Sequence, residues 1–318
     1  MLANDLKNFF HVKQKIEDMR LSLGLTTSMP LKESLPLARL AEEKGYSRIW
    51  VGEDITGGDV FAYLSVLAAE TERISLGTGI TSVFLRNLAV IANSSAGLQV
   101  ISQGRFCLGL GAGGIPEITE ILGHRPRNVV SEMESAVAFL RRVLAGGEAG
   151  ITTGYTRIKG FSLAVSPGAP RVYLGVRGSK MLALAGRIAD GVIFSGPRGY
   201  LGEALDIVNT AAEDAGRDPD ELDKVLWNPF VLAENRKDFE LAAGMVKVML
   251  PSMPPAAEKY LTDDPAQSLC TCGDIGEIRS RLKEYSSLGF SEVVVGPPYG
   301  SEPATVINTL GESYGIRH

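Results

Sequence analysis

The chain has 318 residues, a formal charge of −5 at pH 7 and a hydrophobic fraction of 45 %, which suits a globular protein with a sizeable core. The mild acidity and the lack of a Lys/Arg run argue against a nucleic-acid surface. No stretch approaches the roughly 20 apolar residues of a membrane span, and three cysteines (Cys107, Cys270 and Cys272) fit a reducing cytoplasm better than a disulfide framework or a metal knuckle.

Residues 1–19 read as an N-terminal extension. Charges at Asp5, Lys7, Lys13, Lys15, Glu17 and Asp18 interrupt any leader-like apolar core. Leu6, Phe9, Phe10, Val12 and Ile16 fit a loose amphipathic helix for packing on the main domain or a partner subunit. From residue 20 onward, short apolar runs alternate with helical patterns. Leu21–Leu25 predicts a first strand, and a helix opened by Pro30 and closed by Gly45 follows. Arg48–Gly52 predicts the second strand, Phe61–Ala69 a helix, Ile74–Gly77 the start of a third strand, and Leu88–Val100 a helix. Arg105–Leu110 is the fourth strand, with a long helix over Val129–Leu144.

Residues 146–170, rich in Gly and Thr, break the pattern and read as a hairpin-like insertion. The alternation resumes with Arg171–Gly175, a helix over Met181–Ile188, the strand Gly191–Phe194 and a helix over Gly202–Ala215. Lys224–Leu232, with Pro229 near its end, predicts a seventh strand, and Phe239–Leu250 a helix. Residues 251–264 form a proline-bearing excursion, Ile275–Leu288 a helix, and Ser291–Gly296 the eighth strand. Eight apolar strands separated by helices predict an α/β fold, a single (β/α)8 TIM barrel over 20–318. An open Rossmann sheet is the rival. Its one support, the run Gly109–Gly114, follows the fourth strand rather than the first.

Barrel active sites gather at the C-terminal strand ends. There the chain places Thr26-Thr27-Ser28, Glu53-Asp54, Gly77-Thr78-Gly79-Ile80-Thr81 with Arg86-Asn87, Gly111–Gly114, Gly175-Val176-Arg177-Gly178-Ser179-Lys180, Ser195-Gly196-Pro197-Arg198 and Gly296–Gly300. Gly178-Ser179 opens a helix, where free N–H groups and the positive dipole end favour a phosphate. Arg177, Lys180 and Arg198 add positive charge there. Trp50 and Trp227 read as core, while His124 is a loop residue of either a bland or an acid/base kind.

Several of these segments resemble the bacterial-luciferase-like flavin and deazaflavin enzymes. The carriers are Ala41–Tyr46 with Ile49-Trp50-Val51, Ala69–Thr81, Gly104-Arg105-Phe106 with Leu108–Gly113, Val172–Gly178, Ala189–Val192 and Leu288-Gly289-Phe290, in the same order over roughly residues 20 to 315. Within that group the chain is most similar to the coenzyme F420-dependent methylenetetrahydromethanopterin reductases. The resemblance implies an oxidoreductase that moves a hydride between coenzyme F420 and a small organic or pterin substrate, as a cytoplasmic homodimer without nucleic acid, membrane or metal partner. An FMN-dependent monooxygenase and a non-catalytic flavin-binding paralogue are the alternatives. It further implies a cis peptide at Gly79–Ile80 behind the ring, Arg86 and Asn87 near the ring or its tail, and a phosphate held around Gly175, Val176, Arg177, Gly178, Ser179, Gly196 and Pro197.

The chain departs from that pattern at the acid/base positions. Glu53-Asp54 stands where many relatives carry Asp-His. Thr26 and Gly114 replace a glutamate and an aspartate of the methylene reductases, with Glu117 three residues beyond Gly114. Thr26, Glu53 and Asp54 are therefore the catalytic candidates, and these departures argue against the reductases' own pterin as the substrate.

Overall fold

The computed structural model describes residues 19–165, 168–233, 235–262, 264–300 and 302–314. The expected N-terminal helix lies outside them. The strands in chain order begin with β1 (Arg20–Thr26), β2 (Arg48–Gly52), β3 (Ser75–Thr78), β4 (Thr81–Ser82) and β5 (Phe106–Gly111). An antiparallel hairpin of β6 (Ala149–Thr152) and β7 (Arg157–Phe161) follows, then β8 (Arg171–Val176), β9 (Gly191–Phe194) and β10 (Asp223–Leu226). The last are β11 (Phe230–Leu232), β12 (Thr271–Gly273), β13 (Glu292–Val295) and β14 (Pro298–Gly300).

The large sheet runs β3-β2-β1-β13-β10-β9-β8-β5-β4, and the β3–β5 pairing closes it. Every one of its ladders is parallel. Because β3 and β4 share the third position, this is the expected eight-position (β/α)8 barrel. Its strands are buried on both faces, which explains their continuous apolar runs.

The predicted seventh strand divides. β10 belongs to the barrel, whereas β11 joins β12 and β14 in a separate three-stranded parallel sheet. Pro229 lies at the break and has no N–H to extend the barrel ladder. Its carbonyl instead accepts from the Thr271 N–H. A helix over Ile115–Leu122 and another over Pro303–Tyr314 have no counterpart in the sequence reading.

Trp50, Cys107, Tyr173, Ile193, Val225 and Val294 pack together inside the barrel, with Ile80 and Trp227 above them. The N-terminal end is charged. Fully buried Glu292 accepts from Arg48 at 2.9 Å, Trp50 Nε1 at 2.7 Å and Ser22 at 2.6 Å. Asp223 beside it pairs with Arg20 at 2.7 Å and Arg171 at 2.8 Å, and accepts from the Tyr173 hydroxyl. Charges at that end serve stability in a barrel, which leaves the C-terminal end for chemistry. No helix among the described residues is long and apolar enough to cross a membrane.

Candidate functional site

The third barrel position ends in a kink. The Gly79–Ile80 peptide bond is cis. Thr78 braces the strand just before it, its hydroxyl donating to the Gly109 carbonyl at 2.7 Å and accepting from the Gly109 N–H at 2.8 Å. Beyond the kink, the Ile80 side chain reaches over the barrel interior. A Cβ added at Gly111 or Gly175 would stand 2.7 Å or 2.6 Å from it.

Trp227 comes from the opposite wall. A Cβ at Gly79 would lie 2.1 Å from its ring, and one at Gly24 or Gly296 about 3 Å away. Ile80 and Trp227 are only partly buried, so together they floor the barrel mouth. The glycines at these strand ends thus make room for two large side chains, a close-approach role that no single glycine discloses in sequence.

Glu53 and Arg86 meet beside the kink. Arg86 forms a forked contact with Glu53, its Nε at 3.1 Å, and a second ion pair with Asp59 at 2.7 Å. The other Glu53 oxygen accepts from Thr81 at 2.7 Å. Burial alone would pull Arg86 down. The two carboxylates outweigh it and hold the guanidinium above its ordinary value. Asn87 is exposed and caps the helix Leu88–Ile101 by accepting from the Ala89 N–H at 2.9 Å.

The ends of β1 and β2 are stitched together. Thr27 Oγ1 accepts from the Asp54 N–H at 2.9 Å, and the Ser28 hydroxyl donates to the Asp54 carboxylate. Thr26 is the last residue of β1, in register with Gly52. The Ser28 bond, with help from Thr56, holds Asp54 below the usual carboxylate range. It is therefore an ionised acceptor rather than a proton donor near neutral pH.

A second group of residues lies across the mouth at β8 and β9. Gly175 and Val176 end β8, and Arg177 and Gly178 lead into the helix Ser179–Ile188, which has no side-chain N-cap. A Cβ at Gly178 would meet no heavy atom within 4 Å, so the first turn opens to space. Burial pulls the Arg177 guanidinium below its ordinary value. Its Nη2 approaches the Ser195 hydroxyl at 3.5 Å, and the Tyr200 hydroxyl donates to its carbonyl at 2.8 Å.

After β9, Pro197 precedes the helix Arg198–Asp214. Arg198 turns away to Glu284 at 3.8 Å instead of joining the cluster. The Gly196 N–H is already engaged by Asn228 at 2.9 Å. Sequence reading places Ser195 at this strand end but does not single out Asn228 or Tyr200, and it reads Trp227 as core. The available signal was the polar Asn228 between an apolar strand and a proline.

The Ile80–Gly175 contact and the neighbours Trp227 and Asn228 join the two groups into one mouth. At the other end of the barrel, a depression of about 290 Å³ is lined by Arg141, Arg171, Asp190, Arg217 and Glu221. Its arginines are engaged: Arg141 binds Asp190 and the Ile188 carbonyl, and Arg217 binds the Gly186 and Ala189 carbonyls. These bonds cap a helix C-terminus.

A 5,10-methylenetetrahydromethanopterin reductase of Methanolobus tindarius is 28 % identical, covering 92 % of this chain and 99 % of its own. An F420-dependent glucose-6-phosphate dehydrogenase of Nocardia farcinica is 29 % identical over 84 % of this chain and 88 % of its own. In structure, an F420-dependent secondary alcohol dehydrogenase in complex with an F420-acetone adduct superposes with a TM-score of 0.82 at 18 % identity, covering 95 % of this chain and 100 % of that one. The F420-dependent tetrahydromethanopterin reductase of Methanopyrus kandleri gives 0.77 at 22 % identity, covering 93 % and 98 %. The family model described as luciferase-like monooxygenase matches residues 18–292, so the chain belongs to the luciferase-like family.

Proposed function

We propose that the chain is a coenzyme F420-dependent oxidoreductase acting on a small organic or pterin substrate. One observation carries the reading. A floor of Ile80 and Trp227, suited to a flat ring system, adjoins the open helix start at Gly178-Ser179, suited to a phosphorylated tail. Relatives of both kinds, a reductase and dehydrogenases, are named as dependent on the same coenzyme.

The residues present fit the group. Gly79 and Ile80 would hold the ring, with Arg86 and Asn87 at its side or tail. Arg177, with the first-turn amides of Ser179 and Lys180, would hold the phosphoryl group beside Gly175, Val176, Gly178, Gly196 and Pro197. The Gly196 N–H serves Asn228, so Gly196 and Pro197 shape the loop rather than donate. When bound, the deazaflavin supplies the ring carbon that gives or takes a hydride.

This chain's own residues bind and orient. Asp54, kept ionised by Ser28, accepts a hydrogen bond from a substrate hydroxyl or N–H, and Thr26 donates one. Glu53 holds Thr81 and Arg86 in place beside the kink. Thr26 and Gly114 stand where the methylene reductases' pattern has carboxylates, so the substrate is one whose proton transfer does not need them.

We assign the protein to the cytoplasm as a homodimer. Its three cysteines are free thiols, in keeping with a reducing compartment. The neighbouring helices Val60–Ala69 and Leu88–Ile101 carry no charged residue, and Val66, Val90, Val100 and Ile101 on them are exposed. Uncharged small and branched side chains on both helices make a self-complementary face for a second copy.

Fluorescence titration with F420 and FMN tests the main reading, together with oxygen uptake in the presence of reduced cofactor. Saturable F420 binding without oxygen uptake is expected. Oxygen-consuming turnover with FMN would establish the monooxygenase alternative. Tight F420 binding without turnover over alcohol, hemiacetal and pterin panels would mark a non-catalytic paralogue.

A further inference from the structure

Asn228 stands directly after Trp227, where the chain leaves β10, and is only 3 % exposed. A buried primary amide must find partners for one carbonyl and two N–H groups. Here the carbonyl oxygen accepts from the Gly196 N–H at 2.9 Å and from the Ser195 hydroxyl at 3.2 Å. The Asn228 NH2 group donates to the Gly196 carbonyl at 2.9 Å. All three bonds fall on the loop after β9, so one side chain ties two neighbouring strand ends together.

The bonds also set the polarity of Ser195. Its proton is committed to Asn228, which leaves its lone pairs to accept. Arg177 Nη2 approaches that oxygen at 3.5 Å, while Tyr200 holds the Arg177 carbonyl at 2.8 Å. The guanidinium is thereby held against the loop after β9, on a residue that directly precedes the N-cap Gly178 of the helix Ser179–Ile188.

We propose that Asn228 is a positioning residue for anion recognition: it presents Ser195 as an acceptor, which aims Arg177 at the helix N-terminus, so that a phosphoryl group meets the guanidinium and the first-turn amides together. The inference rests on the cofactor reading above and goes beyond it in naming the group that assembles the phosphate grip. A neutral amide is required. Aspartate at this position would set an acceptor against the Gly196 carbonyl, and its charge would compete with the phosphoryl group for Arg177. A side chain that only braced the fold would affect ligands with and without a phosphoryl group equally.

The test compares paired ligands. Affinities are measured by fluorescence titration for FMN against riboflavin, and for F420 against its chromophore lacking the phosphorylated tail. The proteins are the unmodified chain, Asn228→Asp and Ser195→Ala, each with a thermal melt. The unmodified chain is expected to prefer the phosphorylated member of at least one pair. Asn228→Asp should lower affinity for that member by at least about tenfold, the scale of one charge-assisted hydrogen bond, and leave the other within about threefold. Ser195→Ala keeps the Asn228–Gly196 bonds and should reduce the same preference by a smaller factor, which preserves the test should Asn228→Asp unfold.

A preference unchanged in the folded variants, with only the melts lowered, would overturn the proposal. So would an unmodified chain that binds both members of each pair equally. Failure to bind any of the four ligands would instead fail the cofactor reading first, before any variant is made, and this inference with it.

Discussion

The Ile80 side chain lies so close to Gly175 that a Cβ there would stand 2.6 Å from Ile80 Cγ2, with Gly111 pressed almost as tightly on the same side chain. A residue from the third barrel position is thus seated against glycines of two later strands. Gly175→Ala should push Ile80 off its seat and cost about 1–3 kcal/mol by overpacking. Gly178→Ala, three residues on, meets open space and should leave stability within about 0.5 kcal/mol. Thermal melts of the two variants would show the contrast. Equal melting temperatures would refute this account of the mouth.

Asp54 is kept ionised by its hydrogen-bond donors. The Ser28 hydroxyl, with Thr56, lowers its pKa, so its ionised form persists below the usual carboxylate range. If that form accepts from the substrate, kcat/KM should be flat near neutral pH and fall only in acid. Ser28→Ala raises the Asp54 pKa and should move that acid limb upward in pH. Asp54→Asn should lower kcat/KM by about tenfold or more, the value of a hydrogen bond to a charged group. A full pH–rate profile in each variant checks both statements, and an unaltered rate in Asp54→Asn would remove Asp54 from the site.

The barrel was legible because strands buried on both faces write continuous apolar runs, as in Arg171–Val176 and Glu292–Val295. The division of the seventh strand was harder to see. Val225-Leu226 and Phe230-Val231-Leu232 are equally apolar, and only Asn228-Pro229 between them marks the break. The helix Ile115–Leu122 spans little more than two turns, too short for a periodic stripe to stand out. At the site, residues were legible in proportion to how local their role is. The helix start at Gly178-Ser179 declares itself in adjacent positions. Asn228 acts on Gly196, 32 positions earlier on another strand end, and Trp227 fits against Gly24, Gly79 and Gly296. Those relationships exist only once the barrel has closed.

The charged N-terminal end should govern acid stability. Burial pushes Asp223 up, but the Tyr173 hydroxyl and the charges of Arg20 and Arg171 outweigh it and hold the carboxyl below its ordinary value. A depressed folded-state pKa contributes stability that is complete above the unfolded value, about 4, and is lost as pH falls through the folded one. Asp223→Asn should therefore differ most from the unmodified chain at neutral pH and converge with it in acid. Glu292→Gln breaks the fully buried pair with Arg48 and should cost about 3–5 kcal/mol. Denaturant titrations between acid and neutral pH would test both. A constant offset for Asp223→Asn at every pH would contradict the linkage.

The cysteines should be inert in the folded protein. Burial pushes the Cys270 thiol up to about 12 and the Cys272 thiol up to about 11, and raises Cys107 as well. Thiolate is the reactive form, so burial and the raised pKa values act together. Native protein at neutral pH should react with a thiol-specific chromogenic reagent far more slowly than protein in denaturant, which should release three equivalents. Rapid native labelling of Cys270 or Cys272 would mean that the packing around β12 opens readily.

On the helix Leu88–Ile101, Val90, Val100 and Ile101 are about half exposed, and a Cβ at Gly97 would meet nothing within 4 Å. The adjacent helix Val60–Ala69 adds Val66 to the same uncharged surface. Two such faces can approach closely because their side chains are small, and across a two-fold axis the same patch faces itself. Val100→Glu would then bury two like charges in one interface. Light scattering after size exclusion should report a dimer for the unmodified chain and a monomer for Val100→Glu, with the melt of the separated barrel little changed. The exposed Val248 on the helix Arg236–Met249 gives the control, since Val248→Glu should leave the dimer intact. A monomer in the unmodified protein, or dissociation by Val248→Glu instead of Val100→Glu, would place the contact elsewhere or abolish it.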